Sequence, residues 1–111
     1  MARQIRSIDV YLPLEFNDGR EIPASKYVTL QRELLKRYGG VTSTHRQFPL
    51  EGAWQSGTEV YRDRVIVFSV MDFRDDAQAE CLDYLNKLKK RLKTSFDQLE
   101  ILITVAEMLA V

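Results

Sequence analysis

Val65-Ile66-Val67-Phe68-Ser69-Val70-Met71 is the stretch on which the fold turns. It is apolar at both odd and even positions and rich in β-branched residues, as expected of a strand covered on two sides. The spacing predicts a longer strand around it, from Val60 to Phe73. Ile66, Phe68 and Val70 form its purely apolar set and are assigned to the core. Val65, Val67, Ser69 and Met71, with Tyr61 and Asp63, fall on the opposite side. A bulge near Arg62–Arg64 would exchange the two sets, because a shift of one residue reverses every side chain.

Upstream, Gln4–Leu12 alternates with period 2: Ile8, Val10 and Leu12 against Ser7, Asp9 and Tyr11. Pro13 ends that strand, and Asn17-Asp18-Gly19 reads as a turn. A helix is predicted from Pro23 to Tyr38, with Tyr27, Leu30, Leu34, Leu35 and Tyr38 on one stripe and Gly39-Gly40 as its left-handed stop. Val41–Gln47 reads as a polar edge strand, interrupted at Phe48–Gly52, where Pro49 cannot donate to a ladder. Ala53–Gln55 resumes pairing before a tight turn at Ser56-Gly57.

Downstream, Asp75 and Asp76 are N-cap candidates, with Gln78 as a capping-box partner. The second helix carries Cys81, Leu82, Leu85, Leu88, Leu92 and Phe96 at helical spacing, with acidic residues first and basic residues last. A last strand follows, with Leu99, Ile101, Ile103 and Val105 facing the core and Glu100, Leu102 and Thr104 facing away. The apolar tail Ala106–Val111 is expected to dock on the body or on a partner.

The chain has 111 residues, 45% hydrophobic and 29% charged, which suits one domain spanning residues 1–111. Sixteen basic and sixteen acidic residues cancel. Nucleic acid is therefore a disfavoured partner, since phosphate binding favours a basic excess. Met1-Ala2-Arg3-Gln4-Ile5-Arg6 has no signal-like apolar segment, and no apolar run approaches the ~20 residues of a membrane helix. Cys81 and His45 are each the only residue of their kind, so no disulfide and no cysteine- or histidine-rich metal site is expected, and a cytoplasmic location follows most simply.

Strand, helix, two strands, helix, strand is an α+β order: the ferredoxin-like βαββαβ pattern. Right-handed crossovers would place both helices on one face of a four-stranded antiparallel sheet. The other face is then left with Ser7, Asp9 and Tyr11, with Glu100, Leu102 and Thr104, and with Tyr61, Asp63, Val65, Val67, Ser69 and Met71. That mixture is too apolar for a solvated sheet and too polar for a core layer, and a second subunit or a pocket is the usual solution.

The order and length resemble the dimeric α/β-barrel superfamily, in which two sheets face each other across a cavity. The resemblance implies a homodimer, and its members include cofactor-independent monooxygenases, dye-decolourising and chlorite-handling enzymes, and small stress proteins. Tyr38-Gly39-Gly40-Val41-Thr42, Gly52-Ala53-Trp54 and Asp63 also resemble a pattern in small bacterial proteins of unassigned activity, which draws attention to Thr42, Trp54 and Asp63.

The remaining candidates divide between structure and chemistry. His45 on an edge strand reads as a surface residue unless a substrate lies beside it. Cys81, on the leucine stripe, reads as a buried structural thiol. Lys87, Lys89, Lys90, Arg91 and Lys93 spread around their helix, at about 100° per residue, as a solvated surface. Trp54 either caps the core or walls a pocket or dimer seam. Asp9, at a sheet centre, must be hydrogen-bonded, paired or wet; pairing with Arg62, Arg64 or another basic group is preferred over a functional acid. No phosphate loop, nucleophile elbow, zinc motif or dinucleotide fingerprint is present, so no cofactor or metal is expected.

The leading expectation is a homodimeric domain whose paired sheets form an interface or a small-molecule cavity, with Asp9, Tyr11, Thr42, Trp54, Tyr61, Asp63, Ser69 and Thr104 as its candidate residues. A cofactor-independent monooxygenase or isomerase acting on an aromatic or polyketide-like substrate is the second reading. A protein–protein adaptor with an exposed edge strand or tail is the third.

Overall fold

A computed structural model describes residues 1–111. In chain order the elements are β1 (Arg3–Pro13), α1 (Ala24–Tyr38), β2 (Thr42–Ser43), β3 (Leu50–Ser56), β4 (Glu59–Asp72), α2 (Gln78–Ser95) and β5 (Leu102–Ala110). Every strand pairing is antiparallel, and the order across the sheet is β5-β1-β4, with both β2 and β3 pairing with β4. This is the expected ferredoxin-like arrangement.

Five strands appear instead of four because the predicted edge strand is split. Thr44 holds the break in place: its amide donates to the Val67 carbonyl, and its hydroxyl accepts from the Val67 amide at 3.0 Å. Beyond it the chain leaves the ladder until Leu50, past Pro49, and Arg46 anchors the excursion on Glu21 and the Ile22 carbonyl.

The registers run without a bulge. Arg6 to Pro13 stand opposite Asp72 to Val65, and Arg3 to Tyr11 opposite Ala110 to Leu102. Parity is therefore kept across the sheet, and directly opposite residues share a face. Ile8, Val10, Leu12, Ile66, Phe68 and Val70 join Tyr27, Leu30 and Leu34 of α1 and Cys81, Leu85, Leu88 and Leu92 of α2 in one buried cluster of 17 residues. The helices thus cover a single sheet face.

Several expectations on the helices are corrected. Leu35 and Leu82 are exposed, because each lies one residue off its buried stripe. Gly39 does stop α1, at φ 82° with its amide donating to the Leu35 carbonyl. Asp75 and Asp76 do not cap α2. Its N-cap is Ala77, with no side-chain cap, and Asp76 is drawn away by Arg74 and Arg37.

The last strand is also displaced. Leu99 is 91% exposed in the turn after α2, where Asp97 takes φ 50°. β5 starts at Leu102 and continues to Ala110, so the tail is an edge strand along the first half of β1. Ile101 is buried and Ile103 packs on the core, whereas Val105, at that edge, is partly exposed.

Beyond Pro13, β3 and β4 continue alone as a two-stranded ribbon closed by Gly57-Thr58, one residue later than the predicted turn. The ribbon lengthens the molecule to 46 × 32 × 26 Å. The radius of gyration is 15.0 Å, against about 13 Å for a compact chain of this length.

Candidate functional site on the open sheet face

The eight residues singled out from the sequence all have the parity of the uncovered face. Four of them form one rung across the sheet: Thr104 opposite Asp9, Asp9 opposite Ser69, and Ser69 opposite Thr42. The rungs on either side are mostly apolar, Leu102–Tyr11–Val67 and Ala106–Ser7–Met71. A polar row thus crosses a largely apolar surface, on which Leu102, Met71 and Met108 are substantially exposed.

Asp9 is half-buried at the centre of that row. Its Oδ1 accepts a 2.6 Å hydrogen bond from the Ser69 hydroxyl. The expected arginine partners are elsewhere: Arg64 is paired with Glu15, and Arg62, opposite Ala53, belongs to the other face. The carboxylate is held by a hydroxyl and by no cation.

Trp54, Tyr61 and Asp63 form a second group on the ribbon. Trp54 stands opposite Tyr61 and stacks on it, with centroids 4.4 Å apart. Its Nε1 donates to Asp63 at 2.9 Å, which fixes the ring. Both rings are about half exposed, so Trp54 does not cap the core. They help line an open cleft of about 1090 Å³, between the ribbon, the Glu15–Gly19 loop and the Gln98–Leu102 turn. A second open depression, of about 670 Å³, lies where Thr42, Ser69 and Met71 meet the Tyr38–Val41 turn. Both are open to solvent in the single chain.

Other candidates lie apart from this face. His45 is exposed, and its Nδ1 accepts from the Gln47 amide. Cys81 is buried, and burial pushes its thiol pKa up. Lys87, Lys89 and Arg91 are paired with Asp83, Glu100 and Glu33, as expected of a solvated helix surface. No group of three or more His, Cys, Asp or Glu side chains is placed to hold a metal ion. No helix is long and apolar enough to cross a membrane.

Two features escaped the sequence reading. Ile5 has open-face parity and is buried, yet stands outside the main core cluster; its odd position among Ser7, Asp9 and Tyr11 was the available signal. The second is a clasp between the helices, in which the Arg37 guanidinium lies 3.7 Å from the Tyr84 ring centroid. Glu33 there accepts from both the Tyr84 hydroxyl and Arg91. Residues so far apart in sequence leave no local pattern.

No protein-family model matches the chain, and no curated protein matches it in sequence. Solved structures do resemble it. A phage SAM lyase without ligand aligns at TM-score 0.69, covering 94% of this chain and 81% of that one. The same enzyme in complex with S-methyl-5'-thioadenosine aligns at 0.65, covering 93% and 81%. The divalent cation tolerance protein CutA1 from Thermus thermophilus aligns at 0.57, covering 94% and 82%. Identity is 14% in each case, so the likeness is one of fold.

Proposed function

We propose that the protein is a homodimeric small-molecule-binding domain of the cytoplasm, in which a second copy covers the open sheet face and the space between the sheets receives the ligand. The single observation that carries this reading is the uncovered face, apolar from β5 to β4 and crossed by one polar row. A surface of that kind left in water is unfavourable, and a two-fold copy is the commonest solution for a small protein. The projecting ribbon adds support, because a two-stranded ribbon is only marginally stable alone. Its exposed Leu50, Trp54 and Tyr61, all of open-face parity, suit a contact with a second copy. The lone buried thiol suits a reducing compartment.

Sedimentation velocity or light scattering at micromolar concentration tests the reading. A dimer is expected, and Leu102→Glu or Met71→Glu should dissociate it without unfolding the chain. A strict monomer would remove the reading.

A second reading draws its ligand class from the phage SAM lyase bound to S-methyl-5'-thioadenosine. The exposed, stacked Trp54–Tyr61 pair offers a purine a flat surface at the wall of the larger cleft. A nucleoside thioether is then the ligand. Thermal-shift titration with S-methyl-5'-thioadenosine tests it, and the expected rise in melting temperature should disappear in Trp54→Ala. The monooxygenase or isomerase alternative needs an enclosed pocket and draws no specific support from clefts open to solvent.

A further inference from the structure

The charges on the open face favour one class of ligand. The registers place three carboxylates there, Asp9, Asp63 and, at the far end of the ribbon, Glu59, and one cation, Arg3. Arg3 lies six residues along β1 from Asp9, about 20 Å at the rise of a strand, and is engaged by Asp75 and the Phe73 ring. Asp63 already accepts from the Trp54 indole. Asp9 has only the Ser69 hydroxyl.

A second copy presenting the same face brings the same charges and no further cation of that parity for Asp9; Arg62 of the ribbon has the opposite parity. Covering a carboxylate that meets no positive charge is strongly unfavourable. We propose that Asp9 is the recognition group for an organic cation, a small molecule whose sulfonium or alkylammonium centre is joined to an apolar or aromatic body. The inference rests on the reading that a second copy covers this face.

The surroundings select this kind of cation. A divalent metal ion calls for several oxygen ligands and more than one carboxylate. Here one carboxylate is flanked by hydroxyls along its rung and by Tyr11, Val67 and Leu102 on the next. Alkylated cations are weakly hydrated, pack against apolar groups, and are attracted to aromatic faces such as that of Tyr11.

The experiment compares S-adenosylmethionine with S-adenosylhomocysteine, which lacks only the methyl group and the sulfonium charge, by titration calorimetry on wild type and Asp9→Asn. Choline and S-methylmethionine serve as cations without a nucleoside, and sedimentation is run on the same samples. Wild type should bind S-adenosylmethionine at least tenfold more tightly than S-adenosylhomocysteine. Asp9→Asn should lose that preference while its affinity for S-adenosylhomocysteine stays within about twofold. Equal binding of the two by wild type, or a preference that survives in Asp9→Asn, overturns the proposal. Failure of all three cations to bind a dimeric protein also overturns it. If Asp9→Asn does not fold, the wild-type preference decides alone. A monomer in sedimentation would instead withdraw the covered face itself.

Discussion

Trp54 and Tyr61 stack across the β3–β4 ribbon with their planes 19° apart, and the Trp54 indole donates to Asp63 two register positions further in. The arrangement sets a rigid aromatic surface beyond the main core. Trp54 is the only tryptophan, so its emission reports on that surface alone. The emission should move to shorter wavelength as concentration is raised through the range of dimer formation. A wavelength that stays constant while sedimentation detects the dimer would place the ribbon outside the interface.

The same exposure separates two kinds of aromatic substitution. Phe96 is 1% exposed and meets Tyr27 edge-on at 5.3 Å. Phe96→Ala should lower folding stability by about 3–5 kcal/mol, the usual cost of emptying a core site. Trp54→Ala removes one cross-strand pair and should cost about 0.5–1 kcal/mol. Urea denaturation of both variants checks the contrast, and equal losses would contradict the burial pattern.

Glu33 makes stability sensitive to acid. The Arg91 guanidinium hydrogen-bonded to it, with help from the Tyr84 hydroxyl, holds its carboxyl below the usual carboxylate range. A depressed folded value means that the contribution is fully present above the unfolded value of about 4.3 and is lost as pH falls through the folded value. Glu33→Gln removes charge-assisted hydrogen bonds and should cost about 1–2 kcal/mol at pH 7, and the gap to wild type should close as pH falls through the folded value. Melting temperatures across that range measure it; a gap independent of pH would contradict the assignment.

The tyrosines act at the other end of the scale. Burial pushes the Tyr27 hydroxyl up to about 12 and also raises those of Tyr38 and Tyr84. Raised folded values favour the neutral form, so this stability is intact below the unfolded value of about 10 and declines as pH rises above it. In an absorbance titration of the native protein, three of the five tyrosines should ionise late, and all five together once the chain is unfolded in denaturant. Ionisation of all five near pH 10 in the native protein would show these rings to be solvated.

Much of the architecture was legible because it rests on periodicity. The Val65–Met71 run and the Ile8–Val10–Leu12 alternation are local patterns, and with no bulge at Arg62–Arg64 their parity carried straight to the faces they occupy. What failed depended on competition between partners. Asp76 has good capping chemistry, but Arg74 and Arg37 outcompete the helix end. Arg64 was a reasonable mate for Asp9, yet Glu15, distant in sequence, is nearer to it in space. Leu99 shares the alternation of β5, but the turn after α2 delays the strand past it. For the face itself, residue types indicated where to look, while the single rung from Thr104 to Thr42 became visible only through the registers.

The position of β1 between β4 and β5 bears on how the chain matures during translation. β1 is made first among the strands and β5 follows every other element. Until the ribosome has released Leu102–Ala110, β1 has a neighbour on one side only, and its other backbone edge is free for any extended segment nearby. The nascent domain thus passes through an interval, after α2 and before β5, in which a holding chaperone would find a bare edge to engage.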